Sequence, residues 1–310
     1  MCFVINFQSL YYWGNSSDLK CCPGVTFNKE EETKMKIGIP LEIMTGEARV
    51  ALTPEACGVL VNAGHSVFIE QNAGINSGYL DQEYQQIGAQ LVSSSQALYD
   101  AAQLIVKVKQ PLEQDIASLR SDHILFCYLH LAADAALVQI LCDLGVTAIP
   151  FESVVDEGGQ LPLLRPMSQV AGRIAAIRGA SLLFRNRGGR GILLGGIDGA
   201  EPGRVVVLGA GVAGSHALAS SVALGARVDV VDLNENKLQG LKSQYPDIET
   251  HLSTAKVIEQ LCLDADLVVG AVLIAGRRAP VVLSQSVIRS MKQGSVIVDI
   301  SIDQGGCVES

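Results

Sequence analysis

The sequence predicts an α/β fold of two Rossmann-like, doubly wound domains separated by a cleft. Three observations lead to this. From residue 36 onward, short apolar runs alternate with helical patterns, the order that builds a parallel sheet with covering helices. A glycine-rich stretch, RGGRGILLGG, interrupts the alternation after Phe184, and such segments serve as hinges or ligand-facing loops rather than cores. Beyond it the alternation restarts with RVVVLGAGVAG, an apolar strand running directly into a glycine turn.

The elements follow in order. Residues 1–34 show no sustained period and end in the charged cluster KEEETK; they are expected to form a poorly ordered extension. KIGIP at 36–40 is the first strand, and TPEACGVLVNAG (53–64) is helical. SVFIE (66–70), LIVKVK (104–109), HILFCYLH (123–130) and TAIPFE (147–152) are further strands. DAALVQILCDLG (134–145) is a helix that starts on an Asp134 N-cap. It stops on Gly145, whose missing Cβ suits a left-handed C-terminal turn. SQVAGRIAAIRGASLLF (168–184) is helical and leads into the glycine-rich loop. The junction is placed near 160–170, giving a substrate domain over 35–163 and a nucleotide domain over 164–310. In the latter, RVVVLG, RVDVVDL, LVVGAV and SVIVDIS are strands separated by helices.

Composition narrows the partners. The chain has 310 residues, 48% hydrophobic and 18% charged, enough for two packed cores and unlike a disordered chain. A net charge of −9 repels nucleic acid and anionic membranes at long range, pointing to a small-molecule partner instead. Eight cysteines are scattered without CxxC pairs or Cys/His ligand spacing, so no metal site is expected. Cys127 and Cys142 sit in apolar runs and read as small buried hydrophobes in a reducing compartment. No apolar stretch reaches the roughly 20 residues of a membrane span. Nor do residues 1–34 have the pattern of a secretion signal. The expected location is the cytoplasm.

The turn is Gly209-Ala210-Gly211-Val212-Ala213-Gly214. A lone GxGxxG is weak, but here it joins an apolar strand to a small-residue helix, and the next strand ends on Asp232. Gly209 makes the tight turn, Gly211 lets main-chain amides approach a pyrophosphate, and Gly214 lets the helix lie close to the strand. The helix N-terminus offers free N–H groups and partial positive charge to phosphates. Asp232 suits the ribose hydroxyls and repels a 2′-phosphate, favouring NAD over NADP. Lys237 weakens that preference slightly. The structural alternative is a glycine turn followed by a solvated aspartate.

Ligands of open α/β sheets bind outside the carboxyl ends of the strands, and reactive side chains recur there. Arg49 follows KIGIP, Lys109 closes LIVKVK, His130 closes HILFCYLH, and Asp303 follows SVIVDIS. Arginine clamps a carboxylate, lysine polarises a carbonyl or holds the same carboxylate, and histidine exchanges protons near neutral pH. Aspartate orients water or ammonia. Together the set suits hydride transfer from a small amino or hydroxy acid to NAD. Each residue also has a structural reading. His130 can sit satisfied at a strand end, and Lys107 and Lys109 can lay their stems along a surface. Arg49 can pair with Glu47, and Asp303 can serve as a turn residue before Gly305-Gly306. His65, His123, His216 and His251 are read as structural.

KIGIPLEIMTGEARVALTP (36–54), LIVKVKQP (104–111), LPLLRPMSQVAGR (161–173), VVVLGAGVAG (205–214), GAVLIAG (270–276) and SVIVDISIDQGGC (295–307) occur in the order of a known family. Over residues 35–310 the chain resembles the alanine dehydrogenase/pyridine nucleotide transhydrogenase family. The resemblance implies NAD-dependent oxidative deamination of L-alanine to pyruvate and ammonia, and the reverse amination. It implies that Arg49 and Lys109 bind substrate, that His130 is the acid/base, and that Asp303 handles water or ammonia. Ser168 and Lys237 would join Gly209, Gly211, Gly214 and Asp232 in holding NAD. The implied assembly is a homohexamer. Leu41 and Met44 stand where the family usually has lysines, and the first 34 residues match nothing in it. Family members continue for several tens of residues past the point matched by Ser310, so a chain ending there is expected to leave apolar surface of the first domain uncovered. Two alternatives remain open: the NAD-binding component of a proton-translocating transhydrogenase, and an inactive NAD-binding paralogue.

Overall fold

The computed structural model describes residues 34–274 and 277–309. It also gives the backbone of a short antiparallel pair, β1 (Ile5–Asn6) and β2 (Ser9–Leu10). Apart from these two strands and Lys34, the residues of the expected disordered extension, 1–34, lie outside the described residues. The chain divides into two compact units, Met1–Leu161 and Pro162–Ser310.

In the first unit the order is β3 (Lys36–Ile39), α1 (Pro54–Asn62), β4 (Ser66–Glu70), α2 (Asp81–Gln86), β5 (Gln90–Val92), α3 (Ser95–Ala101), β6 (Leu104–Val106), α4 (Glu113–Ser118), β7 (Ile124–Cys127), α5 (Ala135–Leu144) and β8 (Thr147–Pro150). The strands form a six-stranded sheet in the order β5-β4-β3-β6-β7-β8, with every pairing parallel. The chain winds outward from β3 in one direction, then restarts at β6 and winds the other way. The reversal leaves a crevice above the carboxyl ends of β3 and β6, where ligands of such sheets bind. Local chemistry explains the helix ends. Thr53 caps α1 by accepting the Ala56 N–H, with Pro54 in the first turn. Asp134 caps α5 through the Leu137 N–H, and Gly145 ends it at φ 71°.

In the second unit α6 (Leu164–Leu182) precedes β9 (Arg204–Leu208), α7 (Val212–Ala223), β10 (Arg227–Asp232), α8 (Glu235–Gln244), β11 (Glu249–Leu252), α9 (Ala255–Asp264), β12 (Leu267–Gly270), α10 (Gln285–Ser290) and β13 (Val296–Asp299). A five-stranded parallel sheet runs β11-β10-β9-β12-β13. Its reversal falls between β9 and β12, above the glycine turn. The central strand β9 shows why both faces need helices. Val205 and Val207 enter one core cluster, while Val206 and Leu208 enter another, because successive strand residues point to opposite faces. The two units are therefore both doubly wound α/β domains.

Some sequence boundaries shift. Regular strand geometry ends at Val106 and Cys127 rather than at Lys109 and His130. Pairing nonetheless runs on: the Lys107 N–H donates to the Phe126 carbonyl and the Tyr128 N–H to the Val108 carbonyl. The long helix starts at Leu164, four residues before the expected Ser168. Cys142 is half-buried rather than buried.

Candidate functional site

Three of the singled-out side chains share the carboxyl edge of the first sheet. Arg49 lies in the loop after β3, Lys109 beyond β6 and His130 beyond β7, all half-buried. Glu47 holds the Arg49 guanidinium by two bonds, Nε to Oε1 at 2.7 Å and Nη2 to Oε2 at 2.5 Å. Hydrogen bonding to Glu47 raises the arginine pKa further, and the same contact lowers that of Glu47. The pairing with Glu47 foreseen as a structural alternative thus exists, and it fixes one edge of a planar donor group at the crevice. Lys109 also acts electrostatically on Glu47, and Arg49 on Tyr128. The Tyr128 ring stacks on His130, with centroids 6.2 Å apart and planes within 14°. Arginine, lysine and imidazole therefore lie along one edge of the sheet, with Glu47 held by Arg49 and Tyr128 stacked on His130.

Lys107 departs from the surface position offered as its structural alternative. Far from lying along a surface, it is 1% exposed, with Nζ 3.0 Å from both carboxylate oxygens of Asp115 and 3.8 Å from Glu42. The Tyr99 hydroxyl also donates to Asp115, at 2.9 Å. Buried charges persist only when paired and hydrogen-bonded in this way. Glu42 links the network to the site, since its Oε1 accepts the Val108 N–H at 2.5 Å, next to Lys109. Burial pushes the Glu42 carboxyl up, against the pull of Lys107 and the main-chain N–H groups of Val108 and Lys109.

His130 has an uncommon backbone, φ 50°, a left-handed conformation costing a non-glycine residue about 1–2 kcal/mol. Two side-chain atoms on the segments that follow β6 and β7 are buried without a partner, Gln110 Oε1 and His130 Nδ1. Such orphans concentrate where a ligand completes the bonding. Glu152 was not singled out from the sequence. It accepts the His130 N–H at 2.6 Å and the Leu129 N–H at 3.3 Å.

In the second unit the glycine turn has the geometry of a phosphate cradle. Gly209 sits at φ 104°, and a Cβ there would meet the Ala271 carbonyl oxygen at 2.5 Å. At Gly214 a Cβ would lie 1.8 Å from the Gly209 oxygen, so only glycine lets α7 begin against the turn. At Gly211 nothing lies within 4 Å, and no side chain caps α7, leaving the first-turn amides for an anion. Asp232, ending β10, accepts the Ala210 N–H at 2.6 Å and the Asn234 N–H at 2.8 Å. Lys237 is exposed in the first turn of α8. Ser168 is half-buried on α6, one turn before Gly172, whose Cβ would meet the Ala213 oxygen at 2.1 Å. Residues four apart share a helix face, so Ser168 lies on the side of α6 that meets the first turn of α7.

Asp303 is exposed on a 3-10 turn, Ile300–Gln304, directly after β13. Its loop is organised by Asp299, whose carboxylate accepts the N–H groups of Ser301, Cys307 and Val308. This residue, too, went unnoticed in the sequence; an acid as the last residue of a strand was the available signal, as for Asp232. Three of the four histidines read as structural have structural partners. His65 Nδ1 accepts the Met35 N–H, His123 Nδ1 accepts the Arg120 N–H, and His251 pairs with Asp229 at 2.8 Å. His216 differs, with Nδ1 buried and unpartnered.

The comparisons with known proteins agree across the chain. The N-terminal domain model of alanine dehydrogenase/PNT matches residues 38–171, and the corresponding C-terminal domain model matches 175–310. An alanine dehydrogenase from Mycobacterium tuberculosis is 46% identical over 276 residues, 89% of this chain and 74% of that protein. A solved L-alanine dehydrogenase superposes with a TM-score of 0.80 at 46% identity, covering 89% of this chain and 76% of the other. A transhydrogenase from Sinorhizobium meliloti superposes at 0.71 with 27% identity, covering 89% and 81%. Two family models spanning nearly everything after residue 37, on two doubly wound domains, leave one conclusion: the chain belongs to the alanine dehydrogenase/PNT family.

Proposed function

We propose that this chain catalyses the reversible oxidative deamination of L-alanine to pyruvate and ammonia with NAD. The observation that carries the reading is the grouping of Arg49, Lys109 and His130 at the crevice of the first sheet, in a chain 46% identical to alanine dehydrogenases. In this reading residues 35–163 form the substrate domain and 164–310 the NAD domain.

The residues around the glycine turn fit the cofactor. Gly211 leaves open space before uncapped amides, and Asp232 keeps lone pairs for ribose hydroxyls, since each carboxylate oxygen accepts more than one bond. Ser168 and Lys237 complete the set. NAD, when bound, supplies the hydride acceptor. Arg49 holds the substrate carboxylate with its planar donors, and Lys109 places an ammonium on the carboxylate and carbonyl side. His130 takes or returns the proton on the reacting nitrogen or oxygen. Asp303 orients the water or ammonia that attacks or leaves.

A homohexamer in the cytoplasm completes the proposal by family resemblance. Among the described residues no helix is long and apolar enough to cross a membrane. Incubating the chain with L-alanine and NAD, and following NADH absorbance, tests the reading. NADH formation that depends on L-alanine is expected. Tight NAD binding without such formation would overturn it in favour of a transhydrogenase-like component or an inactive paralogue.

A further inference from the structure

We propose that Glu152 is a positioning residue for His130, acting on its main chain rather than on its ring. The proposal rests on the reading of His130 as the acid/base. Imidazoles that move protons are commonly oriented by a carboxylate or carbonyl on the second ring nitrogen. Here Nδ1 is buried with no partner, so the ring direction must be set otherwise. Two contacts do so. The Tyr128 ring stacks on the imidazole, and Glu152 grips the backbone behind it, its Oε1 taking the His130 N–H at 2.6 Å. Both carboxylate oxygens lie 3.3 Å from the Leu129 nitrogen.

The grip suits the local problem. After Cys127, opposite Pro150, the β7 ladder with β8 ends, so the amides of Leu129 and His130 have no strand partner. A left-handed residue at φ 50° turns two successive N–H groups toward one acceptor. Glu152 is itself held. It lies in a 3-10 turn, Phe151–Ser153, directly after β8, where the Ser153 hydroxyl donates to the Pro150 carbonyl. Its neighbour Phe151 is wedged edge-on against Phe126 and Tyr128, with centroids 4.4 and 5.1 Å apart. One short turn thus carries both the ring that backs Tyr128 and the acid that fixes His130.

The experiment combines kinetics with a signal from the unaltered protein. The chain has five histidines, so selective 15N-histidine labelling gives few amide resonances, assignable with His130→Ala. In the unaltered chain the His130 amide proton should be shifted downfield and slow to exchange. Rapid exchange typical of an open loop overturns the proposal without any variant at Glu152. Glu152→Gln retains one acceptor and Glu152→Ala none. The alanine variant should lower kcat by about tenfold to 100-fold, the upper figure being roughly what a misplacement of about 1 Å can cost. The glutamine variant should fall between it and the unaltered chain. KM for L-alanine and NADH affinity should change little, whereas general loosening of the domain would move them too. A folded Glu152→Ala with unchanged kcat overturns the proposal. Absence of L-alanine-dependent NADH formation from the unaltered chain instead strikes the dehydrogenase reading.

Discussion

The carboxylate of Asp232 accepts a hydrogen bond from the main-chain N–H of Ala210, 2.6 Å away. The residue that ends one strand thereby ties down the turn that follows its neighbour. Asp232 is not a solvated appendage to β10, because the glycine turn is partly built on it. Under the proposed function, this couples the shape of the turn to its preference between nucleotides.

Replacing Asp232 by alanine should therefore weaken NADH binding by about tenfold, roughly the 1.4 kcal/mol that one lost hydrogen bond with a charged partner commonly represents. NADPH should lose less, because the carboxylate that repels a 2′-phosphate is gone. Fluorescence titration of both nucleotides measures the ratio. Equal losses for the two would remove Asp232 from nucleotide selection.

Gly211 and Gly214 make opposite predictions from one motif. A methyl at Gly214 collides with the Gly209 oxygen at 1.8 Å, so Gly214→Ala should cost about 2 kcal/mol or more, lowering Tm by roughly 4–8 °C. A methyl at Gly211 enters open space and should leave Tm nearly unchanged. It should nonetheless reduce NADH affinity by about tenfold or more, by filling the approach to the amides. Thermal unfolding and nucleotide titration of both variants separate the two roles, and a Gly211→Ala protein that binds NADH normally would contradict the cradle.

The second unit was more legible in the sequence than the first because its signals are local. VVVLG followed by GAGVAG states a buried strand, a left-handed glycine and a helix start within a few residues. Asp134 and Gly145 mark both ends of α5 in the same local way. The short helices α2 and α4 carry too few turns for a periodic stripe, and they were not foreseen. The contacts around His130 and Lys109 were hidden for a different reason. Glu152 meets His130 across 22 positions, and Glu42 meets Val108 across 66. A bond that satisfies an amide beyond a strand end has no period and no fixed spacing. The burial of Lys107 is hidden on the same account, since the neighbour that lets it be buried, Asp115, lies on a helix the sequence does not announce.

Under the proposed function, His130→Ala removes the proton exchanger and alters no residue assigned to the nucleotide. Turnover of L-alanine should fall by about 100- to 10,000-fold, the range of general acid–base contributions. NADH affinity should stay within about twofold of the unaltered chain. Stopped-flow or steady-state NADH formation, with a binding titration alongside, reads both quantities. An equal collapse of nucleotide binding would make His130 a structural residue of the cofactor site instead.

Asp229 offers a test of stability rather than chemistry. It is 4% exposed on β10, paired with Arg204 at 2.7 and 3.1 Å and with His251 at 2.8 Å. Burial pushes its carboxyl up, but hydrogen bonds from Arg204 and His251 outweigh it and hold the group below its ordinary 3.8. A folded-state pKa below the unfolded one means the ionised acid stabilises the fold above about pH 4. That stability drains away as pH falls through the lower folded value. Asp229→Asn should cost about 2 kcal/mol at neutral pH, less than a fully buried pair because Arg204 is one-third exposed. Urea unfolding of both proteins from neutral to strongly acidic pH follows the difference. The gap should narrow steadily below about pH 4, once the native chain protonates Asp229 and loses what the variant already lacks. A gap constant across the whole range would mean that shape, and not charge, is what Arg204 and His251 recognise in Asp229.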